Sequence, residues 1–353
     1  MSRNISFSKA IHEATDLCMA RDKNVYLMGL GVPDPKGFFG TTIGLQEKYG
    51  NHRVLDMPTA ENGMTGIAIG SAIAGMRPVM AHHRIEFAML AFEQIMNQAA
   101  NWYYMFGGQS SIPLVIRMLV GRGWGQGPQH SQSLQAMFAH VPGLKVVMPA
   151  TPYDAKGLLV AAIEDNNPVI YLEHRWLHNI LGDVPEGYYS TPIGKARIAR
   201  PGKDVTIIAT SYMVLESLSA AASLEKDSID AEVIDLRTIR PMDTTCILDS
   251  VSKTGRVVVT DLGWRSFGIT SEIITLIVEQ LWPKLECPPR RITLPDIPTP
   301  CTPGLSKYYY PRAIDIVNNI REMLGLSAQT EEEAGLYQEM PLDIPNKGFT
   351  GPF

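Results

Sequence analysis

The sequence predicts an α/β protein built as two three-layer domains, each a mostly parallel sheet covered by helices on both faces. Three observations carry this reading. Short apolar runs alternate with segments of helical periodicity, the pattern left by strand–helix–strand crossovers. The alternation lapses over residues 185–204 into proline, glycine and short polar stretches, then resumes with fresh strands. A chain of 353 residues also exceeds one ordinary core, while each half is long enough to bury its own apolar layer.

Ser6 is an N-cap residue type, and Phe7, Ala10, Ile11, Ala14, Leu17 and Cys18 recur behind it at helical spacing, so an amphipathic helix opens the chain. A strand at 25–28 follows. Beyond Glu61, the small-residue run 67–74 reads as a buried helix, and 77–81 as a strand entering His82, His83 and Arg84. Residues 87–104 keep helical periodicity up to the stop signal Gly107-Gly108. A short strand at 113–117 leads into a glycine-rich loop, and a strand at 145–148 precedes a helix at 153–164. After the break, 205–209, 231–236 and 256–260 read as strands with helices between them. The expected organisation is a first domain over 1–184, a linker at 185–204 and a smaller second domain over 205–326. The tail, 327–353, carries Glu331-Glu332-Glu333 without periodicity and reads as extended or disordered.

Composition excludes several classes. The net charge is -5 and no basic run is interleaved with aromatics, which argues against nucleic acid. Cys18, Cys246, Cys287 and Cys301 show no Cys-x-x-Cys spacing, so neither a disulfide framework nor a zinc ribbon is indicated. No apolar run approaches the roughly 20 residues that span a bilayer, and the start lacks a signal-peptide core, so a soluble cytoplasmic protein is expected.

The most informative stretch runs from Asp56 to Gly66, where Glu61 stands between a strand-like run and a small-residue helix start. Gly63, Gly66 and Gly70 lack bulk, so the backbone behind Glu61 can lie against another surface. The plain alternative is a first-turn charge or cap. Gly29-Leu30-Gly31 lacks the third glycine of a dinucleotide fingerprint and is followed by Pro33 and Pro35. In 121–132, glycines at 121, 123, 125 and 127 let the backbone fold round a ligand, and His130 stands where loop gives way to helix. An imidazole there can trade protons with a reacting oxygen; the plain alternative is helix capping or packing.

Seven segments then fall in one order: Asp56-x-Pro58 with Glu61 and Gly63; Tyr103-Tyr104-Met105 with Gly107-Gly108; Gln129-His130-Ser131-Gln132; Pro142 to Val147; Asp154 to Leu158; Asp165-Asn166-Asn167-Pro168-Val169; and Asp235 to Pro241. Together they resemble the beta subunit of the thiamine-diphosphate-dependent 2-oxo acid dehydrogenases, the decarboxylating component of pyruvate dehydrogenase type, over residues 5–325. The resemblance implies a thiamine-diphosphate pyrimidine-binding domain followed by a transketolase C-terminal-like domain. It implies that Glu61 shares a proton with the cofactor's aminopyrimidine, with Phe87 and Met57 at cofactor-binding positions and His130 orienting substrate during acyl transfer. Plain core packing is the alternative for Phe87. It also implies a monovalent-cation (K+) loop at Asp165 and Asn167, although Asn-Asn-Pro is also simply a turn. No Gly-Asp-Gly segment for the diphosphate and Mg2+ is present. Those groups are expected on a separately encoded alpha subunit in an α2β2 heterotetramer, with a lipoyl acyltransferase as a further candidate partner.

The chain departs from that family where acidic positions read Leu30, Gly31 and Ala81, and where apolar or small positions read His82, His83, Arg84 and Glu86. A more polar pocket mouth is the expectation, with His82, His83 and Arg84 meeting a sugar-type substrate. The plain alternative buries these side chains in a subunit interface. Three functions compete: a decarboxylase subunit that passes an acyl unit to a lipoyl carrier, a carboligase or split transketolase that transfers a two-carbon unit to a sugar, and an inactive scaffold.

Overall fold

The computed structural model describes residues 2–121 and 125–337. Its larger sheet has seven strands in the order Thr238–Arg240, Lys145–Val147, Val169–His174, Val115–Val120, Arg77–His82, Val25–Gly29 and Val54–Leu55. Every neighbouring pair is parallel except the first, where Thr238–Arg240 runs antiparallel to Lys145–Val147. Parallel strands covered on both faces have no solvent side, which is why they read as unbroken apolar runs. Alternate residues feed two cores: Leu27, Val79, Val115, Leu119 and Tyr171 on one side, Met28, Met80, Ile116, Met118 and Leu172 on the other.

The first side is covered by the helix Phe7–Arg21, capped by Ser6, and by the helix Pro152–Glu164, capped by Thr151 with proline at its first position. Ser2–Ser6 pairs antiparallel with Leu181–Pro185 and ties the two ends of this half together. The second side is covered by the helix Glu61–Ile73 and by residues 85–105. Where one helix is expected over 87–104, the chain instead forms a short α-turn Ile85–Ala88, a 3-10 turn Met89–Ala91, a π-helical stretch Gln94–Ala99 and an α-helix Ala100–Met105. The wider π turn shifts the apolar stripe round the axis, so a single helical period blurs these boundaries.

The helix Glu61–Ile73 is buried on one face only. Thr65, Ala68, Ile69 and Ala72 pack inward, while Ile67 and Ile73 are 58% and 42% exposed. A run of small residues does not say which side is covered.

The second sheet has the order Arg290–Leu294, Val257–Trp264, Val205–Ala209, Ala231–Asp235 and Arg197–Arg200, parallel except for the last strand. Arg197–Arg200 lies inside the stretch read as linker. As a partly exposed edge strand carrying two arginines it shows no apolar run, which hid it from a hydrophobicity reading. Part of the tail is also packed: the Ser223 hydroxyl donates to the Ala334 carbonyl at 2.7 Å, and the Gln329 N–H donates to Asn318 Oδ1 at 2.8 Å. Residues 338–353 lie outside the described residues.

The two sheets are joined by the segment after Ala231–Asp235, which crosses to become the edge strand Thr238–Arg240 of the larger sheet. Arg237, in the left-handed region at φ 57°, reaches Asp154 at 2.9 Å, and its carbonyl accepts from Met148 N–H at 2.8 Å. Asp235 accepts from Arg237 N–H at 3.1 Å and faces the Arg197 guanidinium at 3.4 Å. Burial, with repulsion from Asp154 added, pushes Asp235 up to about 6. A carboxyl group raised in the fold stabilises it while protonated, and that contribution is lost as pH rises through the folded value. Asp235→Asn should therefore flatten the pH dependence of unfolding between about pH 4 and 6, a span worth roughly 3 kcal/mol in the parent. Denaturant melts across that range check it, and an unchanged slope excludes Asp235 as the group responsible.

Candidate active site

All parallel strands of the larger sheet point one way, so the loops at their carboxyl ends share one edge, where open α/β sheets bind ligands. Glu61 follows the strand Val54–Leu55, Phe87 follows Arg77–His82, and His130 follows Val115–Val120. Asp56 sets the first of these. Its Oδ1 accepts from Gly31 N–H at 2.8 Å and Met57 N–H at 2.9 Å, clipping two strand-end loops together just before the helix begins. Met57 is buried in the core with Tyr26, Met28 and Met80.

Glu61 is the first residue of its helix, where a negative charge meets the unpaired N–H groups. The helix has no capping side chain. Glu61 is only 9% exposed, yet among the described residues it makes no hydrogen bond or ion pair. Buried carboxylates are almost always partnered, so this one is open to a group that arrives from outside the chain. A Cβ added at Gly63 or Gly70 would meet nothing within 4 Å, which leaves the backbone of this helix open on the side away from the core.

Phe87 is 37% exposed, and its ring meets the His130 ring edge to face with centroids 5.2 Å apart. Phe87 thus stands at the edge of the core and not within it. His130 ends the short turn Pro128–His130, whereas the next helix, Gln135–His140, starts five positions later; His130 does not cap it. Arg122, Gly123 and Trp124 lie outside the described residues.

The three residues expected at a polar pocket mouth each find a partner within the chain. His82 is buried against Thr65, Nε2 to Oγ1 at 3.3 Å, and burial pushes it down to about 4, so it is neutral. His83 bonds the Leu30 carbonyl and packs edge to face on Phe38 at 5.3 Å. Arg84 is buried on Gln126 and the Gly121 carbonyl. Each donor turns toward an acceptor of the chain itself, leaving none of the three lining an open mouth. At the expected cation loop, Asp165 pairs with the Lys145 ammonium and accepts from Asn167 N–H at 2.9 Å. Arg77 reaches the Glu164 and Asp165 carbonyls at 3.3 Å and the Asn166 side chain at 2.6 Å. Two side-chain cations thus lie against the oxygens of this loop.

Two contacts that shape the site had no signal in the sequence. Gly121, at φ 75°, lies so close to His174 that a Cβ would come within 2.3 Å of Nε2. Gly127, at φ 67°, would meet Cys301 Sγ of the second domain at 2.5 Å. Neither partner belongs to a motif, since each contact depends on tertiary approach.

Comparison with known proteins agrees with this architecture. Residues 3–179 match the transketolase pyrimidine-binding domain, and residues 194–316 match the transketolase C-terminal domain. A solved split-gene transketolase, an inactive beta4 tetramer, shares the fold at a TM-score of 0.73 with 23% identity, covering 92% of this chain and 99% of that one. The chain belongs to the transketolase-like family. The beta subunit of acetoin:2,6-dichlorophenolindophenol oxidoreductase from Cupriavidus necator is 43% identical, covering 92% of this chain and 98% of that protein. The pyruvate dehydrogenase E1 component subunit beta of Rickettsia felis and the 2-oxoisovalerate dehydrogenase subunit beta of Bacillus subtilis are each 40% identical, covering 90% of this chain and 98% of theirs. Within that family the chain is one of the beta subunits of the thiamine-diphosphate-dependent 2-oxo acid dehydrogenases. No helix among the described residues is long and apolar enough to cross a membrane.

Two measurements check this geometry. Asp56→Ala removes both N–H acceptors and should lower stability by about 1–3 kcal/mol in a denaturant melt. With Lys145 seated on Asp165, exchanging potassium for sodium at constant ionic strength should leave the melting temperature of the chain unchanged, and a specific rise in potassium would contradict the assignment.

Proposed function

We propose that this chain supplies the pyrimidine half of the cofactor site in a two-subunit enzyme that decarboxylates a 2-oxo acid such as pyruvate and passes the acyl unit to a lipoyl carrier. One observation carries the reading: a buried carboxylate with no partner among the described residues stands at a helix start on the carboxyl edge of a parallel sheet. That site fits a ring nitrogen with a proton to share, as the aminopyrimidine of thiamine diphosphate offers. When bound, the cofactor supplies the carbon nucleophile and electron sink for the decarboxylation.

The chain's own work is then orientation and proton handling. Glu61 holds a proton between its carboxylate and the ring nitrogen, out of water, where a shared proton is strongest. Phe87 offers an aromatic surface to the pyrimidine, and Met57 backs the wall behind it. His130, held against the Phe87 ring, faces the side from which substrate arrives and presents an imidazole to a developing oxygen charge. The diphosphate and its Mg2+ fall to an alpha subunit, because the chain has no Gly-Asp-Gly segment. The open face of the helix Glu61–Ile73, with Ile67, Ile73, Gly63 and Gly70, is where we place that partner, in an α2β2 assembly.

A second reading changes the donor only. Two relatives act, by name, on acetoin, so a 2-hydroxy ketone cleaved to an aldehyde and the same acyl unit is the competing substrate. Transfer to a sugar has less support, since His82, His83 and Arg84 are turned inward.

Glu61→Gln keeps the size of the side chain and removes its charge. In the chain reconstituted with its alpha partner, turnover of pyruvate or acetoin with an artificial electron acceptor should fall on the order of a hundredfold or more. The melting temperature should stay level or rise, because an unpartnered buried charge is removed. Retained turnover would remove Glu61 from the mechanism.

A further inference from the structure

Four residues after the strand Arg77–His82, and next to Phe87, stands a carboxylate that the function proposed above leaves unused. Glu86 Oε1 accepts from Gln132 N–H at 2.6 Å, and its Oε2 lies 3.5 Å from Arg84 Nε. The two side chains are 6% and 3% exposed. Arg84 donates to Gln126 Oε1 at 2.9 Å and to the Gly121 carbonyl. Gly121 N–H in turn donates to the Gln132 carbonyl at 3.0 Å, so both ends of the glycine-rich segment are drawn to one ion pair. His130 lies between those ends, and its ring touches the residue that follows Glu86.

We propose that Arg84 and Glu86 are positioning residues for His130, a buried ionic brace that sets the loop carrying the imidazole against Phe87. This deepens the reading of His130 given above and rests on it. The chemistry of the brace suits the task. A guanidinium offers donors in a fixed plane, so Arg84 can hold Gly121, Gln126 and Glu86 together in one orientation. Glycines at 121, 125 and 127, all with positive φ, leave the segment little stiffness of its own. Rigidity must come from contacts, and these are the contacts at its two ends. Burial pushes Glu86 up and Arg84 down from their ordinary values, so each charge depends on the other, and removing one leaves its partner uncompensated.

The test uses the alpha–beta complex with thiamine diphosphate and Mg2+ and compares Arg84→Met, Glu86→Ala and Glu86→Gln, each alone and combined with His130→Ala. Amide exchange at residues 126–132 should quicken in Arg84→Met and Glu86→Ala, while the strands Val115–Val120 and Arg77–His82 keep their protection. Glu86→Gln retains an acceptor for Gln132 N–H and should fall between them and the parent. With pyruvate or acetoin, kcat should drop on the order of ten- to a hundredfold, with KM for the cofactor changing less. In the His130→Ala background the brace variants should cost no further kcat, because they act through the imidazole already removed. Equal losses in both backgrounds, or unchanged exchange at 126–132, overturn the proposal. A His130→Ala complex as active as the parent overturns the role of His130 itself, and the exchange data still decide whether the brace holds the loop.

Discussion

Glu61, 9% exposed, has no donor among the described residues and so forgoes the pairing a carboxylate usually has, and the rest of the site is arranged around that loss. The N-terminal turn of the helix Glu61–Ile73 recovers part of it, on the order of 0.3–1 kcal/mol for a charge at a helix start. The remainder comes from the packing behind the site: Asp56 clips two loops in front of the helix, and Met57 and Thr65 are buried. His82 belongs to the same arrangement. Neutral at ordinary pH, it partners the Thr65 hydroxyl within the core and adds no charge beneath Glu61.

A second constraint is that the site cannot be assembled by the first half of the chain alone. The edge strand Thr238–Arg240 comes from the second half, and one apolar core runs without interruption from Phe7 and Leu27 to Val205, Val233 and Ile316. The second half also touches the loop of His130 directly. Cys301 lies against Gly127, and Gln135, at the start of the helix after the loop, donates to the buried Asp261 at 2.7 Å. The loop is therefore held from three directions: by the Arg84–Glu86 pair, by His174 behind Gly121, and by the second half of the chain at Gly127 and Gln135.

Much of this was legible in sequence, and the parts that were not share a cause. Apolar runs report strands buried on both faces, so Val25–Gly29, Val115–Val120 and Val205–Ala209 could be read from composition alone. Arg197–Arg200 could not, because an edge strand with one face in solvent has no such run. Ser6 was readable as a cap because a hydroxyl satisfying the N–H three residues on is a local interaction. Glu61 and His130 were singled out through ordered motifs and Phe87 through the family resemblance, and the structure puts all three at the carboxyl edge of one sheet. Orientation was the unreadable quantity. Sequence showed that His82, His83 and Arg84 are polar, and polarity next to a cofactor position suggested a polar mouth.

The structure gives those side chains partners of their own, for a reason that applies beyond this chain. A donor beside a site serves the ligand only if the backbone offers it nothing nearer, and here the Leu30 and Gly121 carbonyls and the Thr65 hydroxyl are nearer. A buried Arg84 guanidinium that left Gln126 and the Gly121 carbonyl for a sugar hydroxyl would strand Glu86 and the loop end together, a loss larger than one hydrogen bond to a neutral hydroxyl returns. The same reasoning applies to the Asp165 loop, where Lys145 and Arg77 are tethered cations that a free potassium ion would have to compete with. In each place the chain's own side chains fill the position expected of a ligand. Glu61 is the exception, and it is this contrast with its satisfied neighbours that marks it as the group reserved for something from outside.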